Sequence, residues 1–100
     1  MADSGWPPDV GTVAPRQGLP MPRYLLHHNH EPNECGVVFA AFRGFESPLR
    51  HRAALASCRS GGHSIWWTVD AWSEENALAL LPFYVAERTT AVPVTEERIP

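Results

Sequence analysis

Leu55-Ala56-Ser57-Cys58-Arg59-Ser60-Gly61-Gly62-His63-Ser64-Ile65-Trp66-Trp67-Thr68-Val69-Asp70-Ala71-Trp72-Ser73-Glu74-Glu75 sets the architecture of this chain. His63 to Ala71 is rich in β-branched and aromatic residues, which suit a pleated, half-buried surface, and it is the strongest strand of the sequence. Leu55 to Cys58 is a shorter strand. Arg59-Ser60-Gly61-Gly62 lies between them and supplies turn residues, so the pair reads as a hairpin. Ser73 then offers a side-chain oxygen to the free amides of a helix start. Glu74 and Glu75 follow where the helix dipole favours acids.

The regular pattern extends in both directions. Upstream, Arg23 to His30 is a strand free of Gly and Pro. Glu31-Pro32-Asn33-Glu34 opens a helix, with Pro32 near the first helical position. Cys35, Val38, Phe39, Phe42 and Phe45 recur at helical spacing as an apolar stripe. Gly44 and Ser47-Pro48 close that helix, and a loop follows that carries Leu49-Arg50-His51-Arg52. Downstream, Leu78, Leu81 and Val85 share one helical face. Pro82 lacks an amide donor and must kink or split the run. Thr89 to Thr95 is the last strand, and Pro93 suits it to a sheet edge.

The order β-α-β-β-α-β implies an α+β, ferredoxin-like fold: a four-stranded antiparallel sheet with two helices on one face. It occupies residues 21–100. Residues 1–20 hold four prolines, three glycines and one aromatic, Trp6, without a strand or helix period, and read as a flexible N-terminal tail. Met21 is either an internal residue or the true start of the protein.

Composition narrows the function. The 100 residues carry 8 basic and 11 acidic side chains, a formal charge of −3. That balance speaks against a nucleic-acid module and against attraction to anionic lipid. No apolar run approaches the roughly 20 residues of a membrane span, and no signal-peptide pattern opens the chain, so the expected location is cytoplasmic. The two cysteines are then free thiols rather than a disulfide scaffold. All the basic residues are Arg, which points to a high-GC bacterial genome.

A sheet covered on one face leaves alternate strand residues on the other, and either Trp66 or Trp67 must lie there. A bare face bearing a tryptophan implies a homodimer packed sheet to sheet. In element order from Tyr24 to Ile99 the chain resembles the dimeric α+β barrel proteins, a superfamily of small bacterial oxygenases, isomerases, cyclases and metal binders. The His27-His28 pair near the first strand resembles the small nickel-binding members of that group.

The topology has a further consequence. The ends of strands one and two, the start of strand three and the start of helix one meet at one sheet edge. His28, His30, Cys35, Cys58 and His63 therefore gather there, with Glu87 and Arg88 arriving from the end of helix two. Imidazole and thiolate suit nickel, copper, zinc or iron, and His28, His30, Cys58 and His63 are the first set of ligands, with Cys35 a fifth candidate. The plainer reading makes the histidines surface residues and Cys35 a small hydrophobe in its helix stripe. A second functional reading is a cofactor-independent enzyme acting on an apolar small molecule. There His28 or His63 is the base and Cys35 a thiol activated at a helix N-terminus. Its pocket is lined by Phe39, Phe42, Trp67 and Tyr84. A third reading is an interaction module without chemistry. A Cys35–Cys58 disulfide would need Cα atoms within about 7 Å. Arg59-Ser60-Gly61-Gly62 reads as a turn more readily than an anion site, and Arg50-His51-Arg52 as a local basic patch on a solvated loop.

Overall fold

The computed structural model describes residues 21–100, so the tail expected over residues 1–20 and its Trp6 lie outside the described residues. Strands β1 (Arg23–Asn29), β2 (Leu55–Ala56), β3 (Ser64–Asp70) and β4 (Thr89–Val94) form one sheet in the order β2-β3-β1-β4. All three pairings are antiparallel. The class is α+β. β1 is central, its Leu26 opposite Trp67 on one side and Ala91 on the other. Pro93 stands in an edge strand, where its missing amide costs no ladder bond.

Alternation along the strands sorts the side chains. Leu26 and His28, with Ile65, Trp67, Val69 and Ala91, are buried on one face. The apolar members of this set pack with Val38 of helix α1 (Cys35–Ala40), Ala77 of α2 (Glu74–Leu78) and Val85 of α3 (Phe83–Ala86). Trp66, in register with Leu55 and His27, stands on the opposite face. Trp67 is thus the inward tryptophan and Trp66 the outward one.

The helices are shorter than the apolar periodicity suggests. The first was expected from Glu31 to Phe45, but α-helix spans only Cys35–Ala40, after a 3-10 turn at Pro32–Glu34. Gly36 and the β-branched pair Val37-Val38 weaken helix propensity there, and Gly44 turns the chain with a φ of 75°. Phe39, expected on the buried stripe, is 55% exposed. The second helical run divides at Pro82 into α2 and α3, as its missing donor requires. Ser73 caps α2 by accepting from the Asn76 amide at 3.0 Å. Ser47 donates its hydroxyl to the Leu80 carbonyl at 2.6 Å, which satisfies an acceptor that the break at Pro82 leaves open.

Candidate metal centre

Four junctions meet at one edge of the sheet, and each brings one donor. His30 follows the end of β1, Cys35 opens α1, Cys58 begins a 3-10 turn after β2, and His63 precedes β3. One ligand atom from each of these residues lies within 4.8 Å of the other three. The Cys35 Sγ is 3.2 Å from His30 Nε2 and 3.2 Å from His63 Nδ1, and the Cys58 Sγ is 3.5 Å from His30 Nε2. Donors about 2.0–2.3 Å from a tetrahedral ion stand about 3.3–3.8 Å apart, so the Cys58–His30 edge has tetrahedral length and the two Cys35 edges fall slightly short of it. His30 is buried and the other three are partly buried.

The backbone supports this convergence. The His30 amide donates to the His63 carbonyl at 3.1 Å, which ties the ends of β1 and β3 together. Between His30 and Cys35 the chain is fixed by reciprocal bonds. The Glu31 amide donates to Glu34 Oε1 at 2.8 Å, and the Glu34 amide donates to the Glu31 carbonyl at 2.8 Å. The other Glu34 oxygen accepts from the Tyr84 hydroxyl at 2.7 Å and pairs with Arg88 at 3.4 Å. The Glu31 amide, then Tyr84 and Arg88, hold the Glu34 carboxyl below its usual range. Arg88 in turn lies 3.8 Å over the Tyr84 ring. Between Cys58 and His63, the amides of Ser60 and Gly62 both donate to the Ser57 carbonyl at 2.9 Å. Gly61 takes a φ of 88° and His63 a φ of 54°. The second value is costly for a residue with a Cβ, and it is kept where the imidazole must face Cys35.

His28 stands one step behind the four. Its Nδ1 lies 3.3 Å from the Val85 carbonyl and 3.1 Å from Thr89 Oγ1, whose own proton goes to the same carbonyl at 2.7 Å. A carbonyl only accepts, so Nδ1 carries the His28 proton and Nε2 carries a lone pair. That lone pair receives the Nδ1 proton of His30 at 3.0 Å. His30 is left with its Nε2 lone pair directed at the two sulfurs. The chain from Val85 through His28 thereby sets the His30 tautomer that ligation by Nε2 requires. Burial comes first among the causes that lower both imidazole pKa values, and it favours their neutral forms.

Of the ligands read from sequence, His30, Cys58 and His63 are therefore together, Cys35 completes the set, and His28 supports it from outside. The sequence carries this set as a mirrored spacing, His30-x4-Cys35 and Cys58-x4-His63. The catalytic roles find less support. His28 is fully buried with both nitrogens engaged, out of reach of a substrate. The Cys35 thiol is pushed up rather than down, first by desolvation and then by Cys58 beside it, so the helix dipole does not produce an activated thiol. Cys35 and Cys58 are free thiols. His27, the other half of the His27-His28 pair, faces the opposite side of the sheet and stacks on Trp66 with ring centroids 5.1 Å apart. Tyr84, expected in the apolar pocket, instead holds Glu34. Glu87 pairs with Arg88 at 2.9 Å and lies outside the four donors.

No protein-family model, curated protein or solved structure matches the chain. Among the described residues no helix is long and apolar enough to cross a membrane.

Proposed function

We propose that this chain is a small transition-metal-binding protein whose centre is His30, Cys35, Cys58 and His63. The reading is carried by one observation: four side chains from four separate junctions place a ligand atom each within 4.8 Å of one another. Two imidazoles and two thiolates form a tetrahedral donor set that fits zinc best; nickel, copper and iron are the competing ions. Support also comes from the His28 bond that fixes the His30 tautomer, because metal-bound histidines nearly always have such an outer partner.

The proposed frame is ferredoxin-like, and the strand order β2-β3-β1-β4 with every pair antiparallel supports it. The proposed assembly is a homodimer, and the location cytoplasmic and bacterial. The dimer is favoured by the open sheet face, where Leu55, opposite Trp66, is 73% exposed and Val92, opposite Leu25, is 48% exposed.

The test is elemental analysis of tag-free protein, followed by cobalt(II) titration. About one metal per chain, lost in His63→Ala and Cys58→Ala, is the expected result. Cobalt then gives the intense visible bands of tetrahedral thiolate coordination. A protein that arrives without metal, and takes up none of the four ions on titration, overturns the reading. The cobalt spectrum of the unmodified chain decides the matter even where a variant fails to fold.

A further inference from the structure

A second concave site lies between the loop after α1 and the sheet. It is a cavity of about 320 Å³ whose apolar wall includes Phe39, Phe42 and Trp67. Arg43, Arg50 and Arg52 also line it, together with His51. None of the four metal-centre donors lines this cavity, so an inference from it stands or falls independently of the metal reading.

Three observations mark it as more than a gap in packing. The first is charge. The chain as a whole is acidic, yet three of its eight arginines line this one cavity. Arg23 and Arg88 are matched with carboxylates, whereas no ion pair among the described residues engages Arg43, Arg50 or Arg52. Guanidinium groups without acidic partners around an apolar hollow create a potential that draws in anions. The second is the wall. Trp67 and Phe42 stand 6.1 Å apart at 48°, and Phe39 leaves more than half of its surface to solvent beside them. Exposed aromatic area of this kind receives a flat apolar body. The third is strain. His51 adopts a φ of 66°, and it and His63 are the only non-glycine residues with positive φ among those described. A residue with a Cβ is held there at a cost, and such positions cluster at ligand clamps.

We propose that this cavity binds a small aromatic carboxylate. The flat ring lies against Phe39, Phe42 and Trp67, and the carboxylate is held by Arg50 and Arg52, with Arg43 adding charge. The guanidinium fork matches a carboxylate with two parallel hydrogen bonds, and it gives up its hydration more readily than an ammonium would. A bare inorganic anion satisfies the arginines and wastes the aromatic wall. A neutral aromatic amide does the reverse.

The test is titration calorimetry of the full chain with 1-naphthoate, 1-naphthamide and inorganic phosphate. Saturable binding of 1-naphthoate at one per chain is expected, tighter than either comparison compound by about tenfold, the difference that loss of a charge-assisted bond implies. Arg50→Gln combined with Arg52→Gln weakens naphthoate by a similar factor and leaves naphthamide unchanged. Phe39→Ala weakens both. Arg23→Gln, on the open face and paired with Asp70, changes neither. Failure of naphthoate to saturate, equal binding of the amide, or phosphate binding as tightly as naphthoate each overturns the assignment. The substituted residues are exposed or only partly buried. If the double variant nonetheless misfolds, the ranking of the three compounds on the unmodified chain and the Phe39→Ala result decide it.

Discussion

At the scale of single residues, His28 governs the orientation of its neighbour His30. It is fully buried, sits on the central strand, and touches the proposed metal only through His30. Its role is positioning. His28→Ala is expected to leave one metal per chain and to weaken affinity by about 10–100-fold, the usual effect of losing an outer partner. Competition against a chromogenic chelator measures this, and an unchanged affinity contradicts the role. The same imidazoles predict a pH effect on the metal-free protein. Burial holds His28 and His30 below the ordinary value of 6.5. Above about pH 6.5 they are neutral in both folded and unfolded chains and contribute no dependence. Below it the unfolded chain takes up protons first, so stability is lost as pH falls from 6.5 through the lower folded values. Urea midpoints should therefore decline from about pH 7 to about pH 5, and a flat profile across that window would count against buried neutral imidazoles.

At the scale of elements, the Cys58–His63 turn is the tightest part of the centre. A Cβ on Gly62 would meet Ser57 Oγ at 2.5 Å and Ser57 Cβ at 3.0 Å. That serine also accepts from the Ser64 amide at 3.0 Å, so it cannot swing away without cost. Gly62→Ala should therefore widen the turn, separate Cys58 from His63, and lower both metal affinity and thermal midpoint. Gly36, within α1, has nothing within 4 Å of its would-be Cβ. Gly36→Ala should stabilise the fold by about 0.5–1 kcal/mol through helix propensity. Denaturation of the two variants side by side checks the opposite signs. These elements also show how far the sequence could be read. Strand β3, the cap at Ser73 and the break at Pro82 follow from local chemistry and were legible. The length of α1 was not, because the stripe from Cys35 to Phe45 has helical spacing whether or not the chain continues as helix. In the fold Cys35 turns to the histidines and Phe39 to solvent.

At the scale of the molecule, the open sheet face is the feature that asks for a partner. Leu55→Glu places a charge on that face at a side chain 73% exposed, without entering the core. In the proposed homodimer it should shift sedimentation from dimer to monomer while the cobalt spectrum stays unchanged. A monomeric unmodified protein removes the dimer proposal and leaves the metal centre intact, since all four donors come from one chain.

Periodicity and turn chemistry alone set the α+β class with its four-stranded antiparallel sheet, and the meeting of His and Cys at one edge. Those follow from side-chain periodicity, turn residues and the antiparallel return of the chain, all local properties or their direct consequence. The sequence also determined that neighbouring histidines on β1 face opposite ways, because strand side chains alternate. Which of those residues converge as candidate donors arises only in the tertiary packing. His28 lies on β1 and His30 just past its end, two residues apart, and nothing local separates the candidate ligand from its support. The distinction arises where Val85 and Thr89, 57 and 61 residues away, engage the His28 Nδ1 and leave His30 alone to face Cys35 and Cys58. The basic loop was likewise a solvated patch in the sequence. It becomes the rim of a cavity only because folding sets it against Trp67 and Phe42, contacts that no spacing along the chain encodes.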